Sequence, residues 1–206
     1  MVINDIEIEL RGRLTNEQYL TLLTTLQKDG TYKEHKHRLL LDYSTFLPGE
    51  GVAERKQDIR LRITNGVPEI MTKIGGWGGD EHRREISIFT EAGSFDRLVE
   101  TYGILGYTKA IVAERHTEVF DYKGFEFALV TVPNHSHYFE IETMAHGEAD
   151  IARVKAEMRT VCEELQLEIF DDAGFYGYIE ELNRETNSVF EFKDFEPNYF
   201  TNRYAI

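Results

Sequence analysis

Short stretches of the 206-residue chain carry charged side chains at a spacing of two: Glu7-Ile8-Glu9-Leu10-Arg11, Arg60-Leu61-Arg62 and Glu140-Ile141-Glu142. Successive side chains of an extended strand point to opposite faces, so both glutamates and the arginine of the first stretch share one face. Each of the other pairs does the same. Paired carboxylates suit a hard divalent cation, which prefers oxygen ligands. Paired arginines suit phosphate oxygens, which a guanidinium fork grips bidentately. A sheet with one solvated face also alternates, yet such faces favour Thr, Lys, Gln and Ser over repeated Glu-x-Glu and Arg-x-Arg.

These strands must be positioned by the rest of the chain. Strict alternation marks a strand from Asp5 to Leu14, and Thr15 with Gln18 reads as a capping box opening a helix whose apolar stripe is Leu20, Leu23 and Leu26. Further strands are predicted at Tyr32 to Thr45, Gln57 to Asn65, Val67 to Ile74 and Arg83 to Phe89, with Asn65-Gly66 as a hairpin turn. A helix signalled by Ser94, Leu98, Tyr102 and Leu105 precedes strands at Tyr107 to Tyr122, Phe125 to Val132 and His137 to Thr143. Ile151, Val154, Met158, Val161 and Leu165 recur at helical spacing, and a shorter helix near Tyr176 to Glu185 leads into an aromatic tail, Phe190 to Tyr204. Eight strands and a few helices predict an α+β fold: a closed antiparallel β-barrel with helices outside, which removes sheet edges.

No repeat or Pro/Ser-rich linker divides the chain, and only four prolines interrupt it, so one domain is expected over 1–206, with a C-terminal helix and tail from about residue 175. The lone cysteine, Cys162, the absence of a signal pattern and the lack of a long apolar run predict a cytoplasmic protein away from membranes. With 37 acidic against 23 basic residues, the net charge of -14 disfavours nucleic-acid binding. Anions can still bind where the few arginines converge.

The order of the charged motifs resembles the CYTH, or triphosphate tunnel metalloenzyme, family, whose first strand carries Glu-x-Glu-x-Lys. Here that motif reads Glu7, Glu9, Arg11. The resemblance continues through Leu41-Asp42-Tyr43, Arg60-Leu61-Arg62, Lys73, Arg84-Glu85, Arg115 and Phe139-Glu140-Ile141-Glu142, over residues 3 to 185. The chain departs from the pattern at Arg11 in place of lysine, at Ala113-Glu114-Arg115 in place of Lys-x-Arg, and at Leu129-Val130, where the family carries Leu-Asp.

The resemblance implies a barrel tunnel that takes a small-molecule triphosphate, with Arg11, Arg60, Arg62, Lys73, Arg84 and Arg115 on its oxygens. Glu7, Glu9, Glu140 and Glu142 are implied as ligands of Mg²⁺ or Mn²⁺, and Glu7, Glu9, Lys73 and Arg115 as the catalytic set. The implied activity is release of orthophosphate from inorganic, thiamine or nucleoside triphosphate. A class IV-like adenylyl cyclase and a non-catalytic nucleotide or polyphosphate sensor are the rivals, the sensor motivated by Val130. RNA 5′-triphosphatases use related tunnels, but the acidic surface offers RNA little help.

Other motifs weigh less. His35-Lys36-His37 and His135-Ser136-His137 pair imidazoles on strand faces, but neither has a third Cys or His nearby in sequence, so both read as ordinary surface or loop residues. Gly75 to Gly79 lacks the Lys-Ser/Thr and the helix of a phosphate loop, and reads as a hairpin loop with Trp77 as a lid. Cys162 reads as a small core residue. The tail with Phe195, Tyr199 and Phe200 either plugs one mouth or covers an apolar strip at a homodimer interface.

Overall fold

A computed structural model describes residues 6–76, 78, 80–145 and 148–204. Trp77 and its lid role lie outside the described residues. Among the described residues nine strands and five α-helices follow one another, beginning with β1 (Ile6–Leu14), α1 (Asn16–Asp29), β2 (Thr31–Asp42), β3 (Gln57–Thr64), β4 (Val67–Ile74), β5 (Asp80–Phe89) and α2 (Phe95–Ile104). Then come β6 (Lys109–Tyr122), β7 (Phe125–Val132), β8 (Ser136–Ala145), α3 (Glu148–Glu164), α4 (Asp172–Glu185), β9 (Ser188–Glu191) and α5 (Tyr199–Arg203). The architecture is α+β, and among the described residues no helix is long and apolar enough to cross a membrane.

The strands pair antiparallel in the order β2-β3-β4-β5-β1-β8-β7-β6, and a further β2–β6 pairing closes this set of eight into a ring. β9 joins outside it, on β6. Closure follows from alternation. Ile8, Leu10 and Leu14 of β1, Phe127 and Leu129 of β7, and Phe139 and Ile141 of β8 turn outward and are buried by α1 and α3. Leu39, Leu41, Leu61, Ile63 and Val112 turn outward under α2, and the intervening charged side chains turn inward.

Local signals behave as their chemistry dictates. Thr15 Oγ1 accepts from Gln18 N (3.2 Å) while Gln18 Oε1 accepts from Thr15 N (2.9 Å), which completes the capping box. Leu26 of the predicted stripe is buried and Leu23 packs beside it, whereas Leu20 faces solvent and Tyr19 and Leu22 complete the apolar face of α1. Asn65 and Gly66 both take positive φ (49° and 81°), the conformation a two-residue hairpin turn requires. At Gly12 a Cβ would stand 1.9 Å from the Glu168 carbonyl, so only glycine lets the chain before α4 cross β1 and donate Phe170 N to Arg11 O (2.8 Å).

The described part of the aromatic tail packs against α2 on the outside of the ring. Phe200 is fully buried against Phe95 of α2, and Asp96 caps α5 by accepting from Phe200 N (2.9 Å) and Thr201 N (3.2 Å). Phe190 joins the same outer core through β9, a strand too short and aromatic for its sequence to announce.

Candidate functional site

Inward-facing side chains fill the ring with charge. Glu7, Glu9 and Arg11 come from β1, Lys36 and Arg38 from β2, and Arg60 and Arg62 from β3. Lys73 of β4, Glu85 of β5, Glu126 of β7, and Glu140 and Glu142 of β8 complete the lining of a cavity of about 200 Å³. The predicted face thus holds for Glu7, Glu9, Glu140 and Glu142 and for Arg11, Arg60, Arg62 and Lys73.

Most of these charges are already matched. Arg11 donates Nη2 to Glu9 (2.5 Å), Nε to Glu140 (3.2 Å) and Nη1 to the Gly78 carbonyl (3.1 Å). Lys73 donates to Glu7 and lies 3.2 Å from Glu85 and 3.8 Å from Glu9. Arg62 pairs with Glu69, its direct cross-strand partner, and reaches Glu85 at 3.4 Å. Arg60 donates to Asp58 (2.6 Å), a fully buried carboxylate that also receives Arg55 (2.9 Å) and Arg83 (2.5 Å). Burial alone would raise the Asp58 pKa, but Arg60, Arg83 and Arg55 together hold it below the usual carboxylate range.

Two arginines stand apart. Arg38 and Arg115 are opposite each other in the β2–β6 register, yet Arg38 donates to the Thr64 hydroxyl (3.0 Å) and Arg115 to the Glu114 carbonyl (2.6 Å) and Asn187 Oδ1 (3.1 Å). Neither forms an ion pair among the described residues. Burial, reinforced by the like charge of Arg62, lowers the Arg38 pKa, although a guanidinium stays cationic at neutral pH.

Acidic residues gather at the other side of the lumen. Glu7, Glu9 and Glu142 bring one carboxylate oxygen each within 4.8 Å of the others, a donor set of the kind a hard divalent cation takes. Burial pushes the Glu142 pKa up to about 8, and Glu7, Glu140 and Glu126 add to the rise. Glu140 falls outside this group: although burial opposes its ionisation, Arg11 holds its pKa below the ordinary value. Val130 stands in β7 where the CYTH pattern that the sequence resembles carries an aspartate, but Glu126 on the same inward face stands in register with Glu142.

Arg84 does not enter the ring. It is exposed, because Arg83 and Glu85 take the inward positions of β5 and one residue of register reverses the face. Arg38, Lys36 and Glu126 were missed in sequence, since each is a lone or mixed charge in a strand that reads as partly solvated or apolar. Strict alternation from Asp42 back to Lys36 would have found Arg38.

A second cavity of about 150 Å³ continues from the lumen past Arg11, Arg38, Arg60, Arg115 and Glu140. Its far wall is apolar and belongs largely to α4, through Phe175, Tyr178, Ile179 and Leu182. Asp171 caps that helix by accepting from Gly174 N (2.7 Å), and Tyr178 bonds to Ser136 Oγ (2.8 Å). Arg13 pins the exposed side through Glu181 (2.8 and 3.0 Å), and the Arg11 guanidinium lies 5.0 Å over the Phe175 ring.

Cys162 is buried within the outer core, and burial raises its thiol pKa to about 12, which leaves it unreactive. His135 faces Glu185 (3.3 Å) while His137 stacks on Tyr19 (4.1 Å), so that pair is split.

No protein-family model and no curated protein matches the chain. Solved structures do. PH1819 of Pyrococcus horikoshii superposes with a TM-score of 0.68 at 21% identity, over 85% of this chain and 98% of that one. A conserved hypothetical protein of Pyrococcus furiosus gives 0.64 at 17% identity, over 80% and 94%. A protein of Vibrio parahaemolyticus, provisionally named an adenylate cyclase, gives 0.55 at 16% identity, over 79% and 90%. With eight inward-charged strands closed into a ring, the chain shares the fold of these solved structures, as its resemblance to the CYTH family implied.

Proposed function

We propose that this protein is a metal-dependent phosphohydrolase that takes a triphosphate into the ring as into a tunnel and releases orthophosphate. The observation that carries the reading is the Arg38–Arg115 pair, two inward-facing cations in register with no ion-paired carboxylate on either among the described residues. A triphosphate brings about four negative charges at neutral pH, which must be neutralised before a nucleophile approaches phosphorus. Arg38 and Arg115 can accept them directly. Arg11, Arg60, Arg62 and Lys73 are held by carboxylates and would grip phosphate by exchanging partners.

Glu7, Glu9 and Glu142 would hold Mg²⁺ or Mn²⁺, whose chemistry there is to polarise the phosphoryl group and make bound water more acidic. Lys73, between Glu7, Glu9 and Glu85, would keep the acidic side near neutrality before substrate arrives. The lumen's charges are inward, and the outer field remains negative, which supports a small-molecule substrate over RNA.

The apolar cavity beside Arg38 and Arg115 supports an organic triphosphate and, with it, a second reading: cyclisation of ATP, its base against α4. Hydrolysis asks less, because it needs an anchored phosphate chain and a positioned water rather than a ribose aligned on the α-phosphorus. The sensor reading rests on Val130 alone, and Glu126 supplies an acid on the same face. A screen of inorganic, thiamine and nucleoside triphosphates with Mg²⁺ and Mn²⁺, each product identified, separates the readings. Orthophosphate from at least one substrate supports the hydrolase, and binding without product defeats it.

A further inference from the structure

Strand pairing assembles a histidine cluster on the outer face of the ring. β2 turns Lys36 and Arg38 inward, so His35 and His37 point outward. Across the seam β6 turns Arg115 and Thr117 inward, and Glu114, His116 and Glu118 outward. His37 is in register with His116, which supplies the third imidazole that neither sequence pair possessed on its own.

The atoms are already close. His37 Nε2 lies 2.7 Å from Glu114 Oε1, and His116 Nε2 lies 4.0 Å from the same oxygen. One donor atom each of His37, Glu114 and His116 falls within 4.8 Å of the others. The His37 and His116 rings stack at 4.5 Å and 3°, and His35 also stacks on His116, at 5.6 Å, while bonding Glu118 (2.9 Å). Bonds of about 2.0–2.1 Å to a tetrahedral ion put ligand atoms roughly 3.3 Å apart, so small side-chain rotations bring this set onto one centre.

We propose that His37, His116 and Glu114 form a site for a borderline divalent transition metal ion of the Zn²⁺ class, with His35 in reach as a further ligand. Imidazole nitrogen with one carboxylate selects such ions, whereas the all-carboxylate group inside the ring selects harder ones. The ion bridges β2 to β6 at the seam that closes the ring. Its ligands are the sequence neighbours of Arg38 and Arg115, so the bridge holds those like-charged arginines in register from the opposite face.

The test uses the full chain, stripped of metal, titrated with Zn²⁺ alone and with Co²⁺ as a spectroscopic probe. The proposal expects one saturable Zn²⁺ equivalent that raises Tm, visible Co²⁺ bands of a low-coordinate nitrogen site, and at least tenfold weaker Zn²⁺ binding in His37→Ala and His116→Ala. His116→Gln, which keeps a polar side chain on the strand, gives the same weakening if alanine perturbs folding. Glu142→Gln, which alters the inner acidic group, retains the equivalent, so this result is independent of the tunnel reading. Zn²⁺ binding unchanged in a His37→Ala/His116→Ala double variant, or abolished by Glu142→Gln, overturns the site.

Discussion

Arg38 and Arg115 face one another across the β2–β6 seam, in direct register on the inward side of the ring, and neither has a carboxylate partner among the described residues. Like charges placed opposite each other on neighbouring strands oppose folding by roughly 0.2–1 kcal/mol. Neighbouring arginines in the same lumen are all compensated. This pair therefore stands ready for an anion that arrives from outside.

Arg38→Ala and Arg115→Ala should each weaken triphosphate binding by roughly 1.5–3 kcal/mol, the range of a charge-assisted hydrogen bond, while leaving Tm of the ligand-free protein equal or higher. Calorimetric titration with thermal denaturation of the same samples checks both parts. Unchanged affinity in both variants would remove the anion slot from the account.

Arg62→Ala should behave differently. Its partner Glu69 is 3% exposed, and removing the guanidinium strands that carboxylate, a loss of about 3 kcal/mol or more of folding stability. Denaturant unfolding measures it. An Arg62→Ala protein as stable as wild type, yet weak in triphosphate binding, would mean that the Arg62–Glu69 pair contributes nothing to the fold.

Glu142 makes a pH prediction whose sign follows from its pKa of about 8 against an ordinary 4.5. Between those values the folded state keeps a proton that the unfolded chain has lost, so stability of the metal-free protein falls as pH rises through this window and levels off above it. Glu142→Gln should flatten that dependence and raise Tm at pH 8. Binding of Mn²⁺ must expel the proton, so affinity should climb with pH by up to about tenfold per unit below 8. Affinity that is flat from pH 6 to 8 would show that Glu142 holds no proton there before the metal binds, against its raised pKa.

The apolar wall contributed by α4 predicts discrimination between substrates. Ile179→Asn places a polar group on that wall without touching the lumen charges, and should raise KM for organic triphosphates several-fold while leaving inorganic triphosphate unaffected. Equal changes for both substrates would show that the cavity holds no part of the ligand.

Much of this was legible from residues 7–11, 60–62 and 140–142, because period-two alternation reports directly which side chains share a face. The same rule separates Arg83 from Arg84, where a shift of one residue moved the named arginine outside the ring. Legibility ended where register mattered. Arg38 meets Arg115, and His37 meets His116, only through a pairing that joins strands far apart in sequence, and no local pattern encodes it. The tail was visible as aromatic, but its partner Asp96 is an ordinary helix residue until Phe200 and Thr201 reach it.

The most direct measurement is the product released from inorganic, thiamine and nucleoside triphosphates, ATP among them, with Mn²⁺, resolved by chromatography in wild type and in Arg38→Ala. An anchored phosphate chain beside a divalent-cation site predicts ADP and orthophosphate from the wild type, with turnover reduced at least tenfold at subsaturating ATP in the variant. Cyclic AMP and pyrophosphate in equal amounts, or no product from any triphosphate, would contradict it.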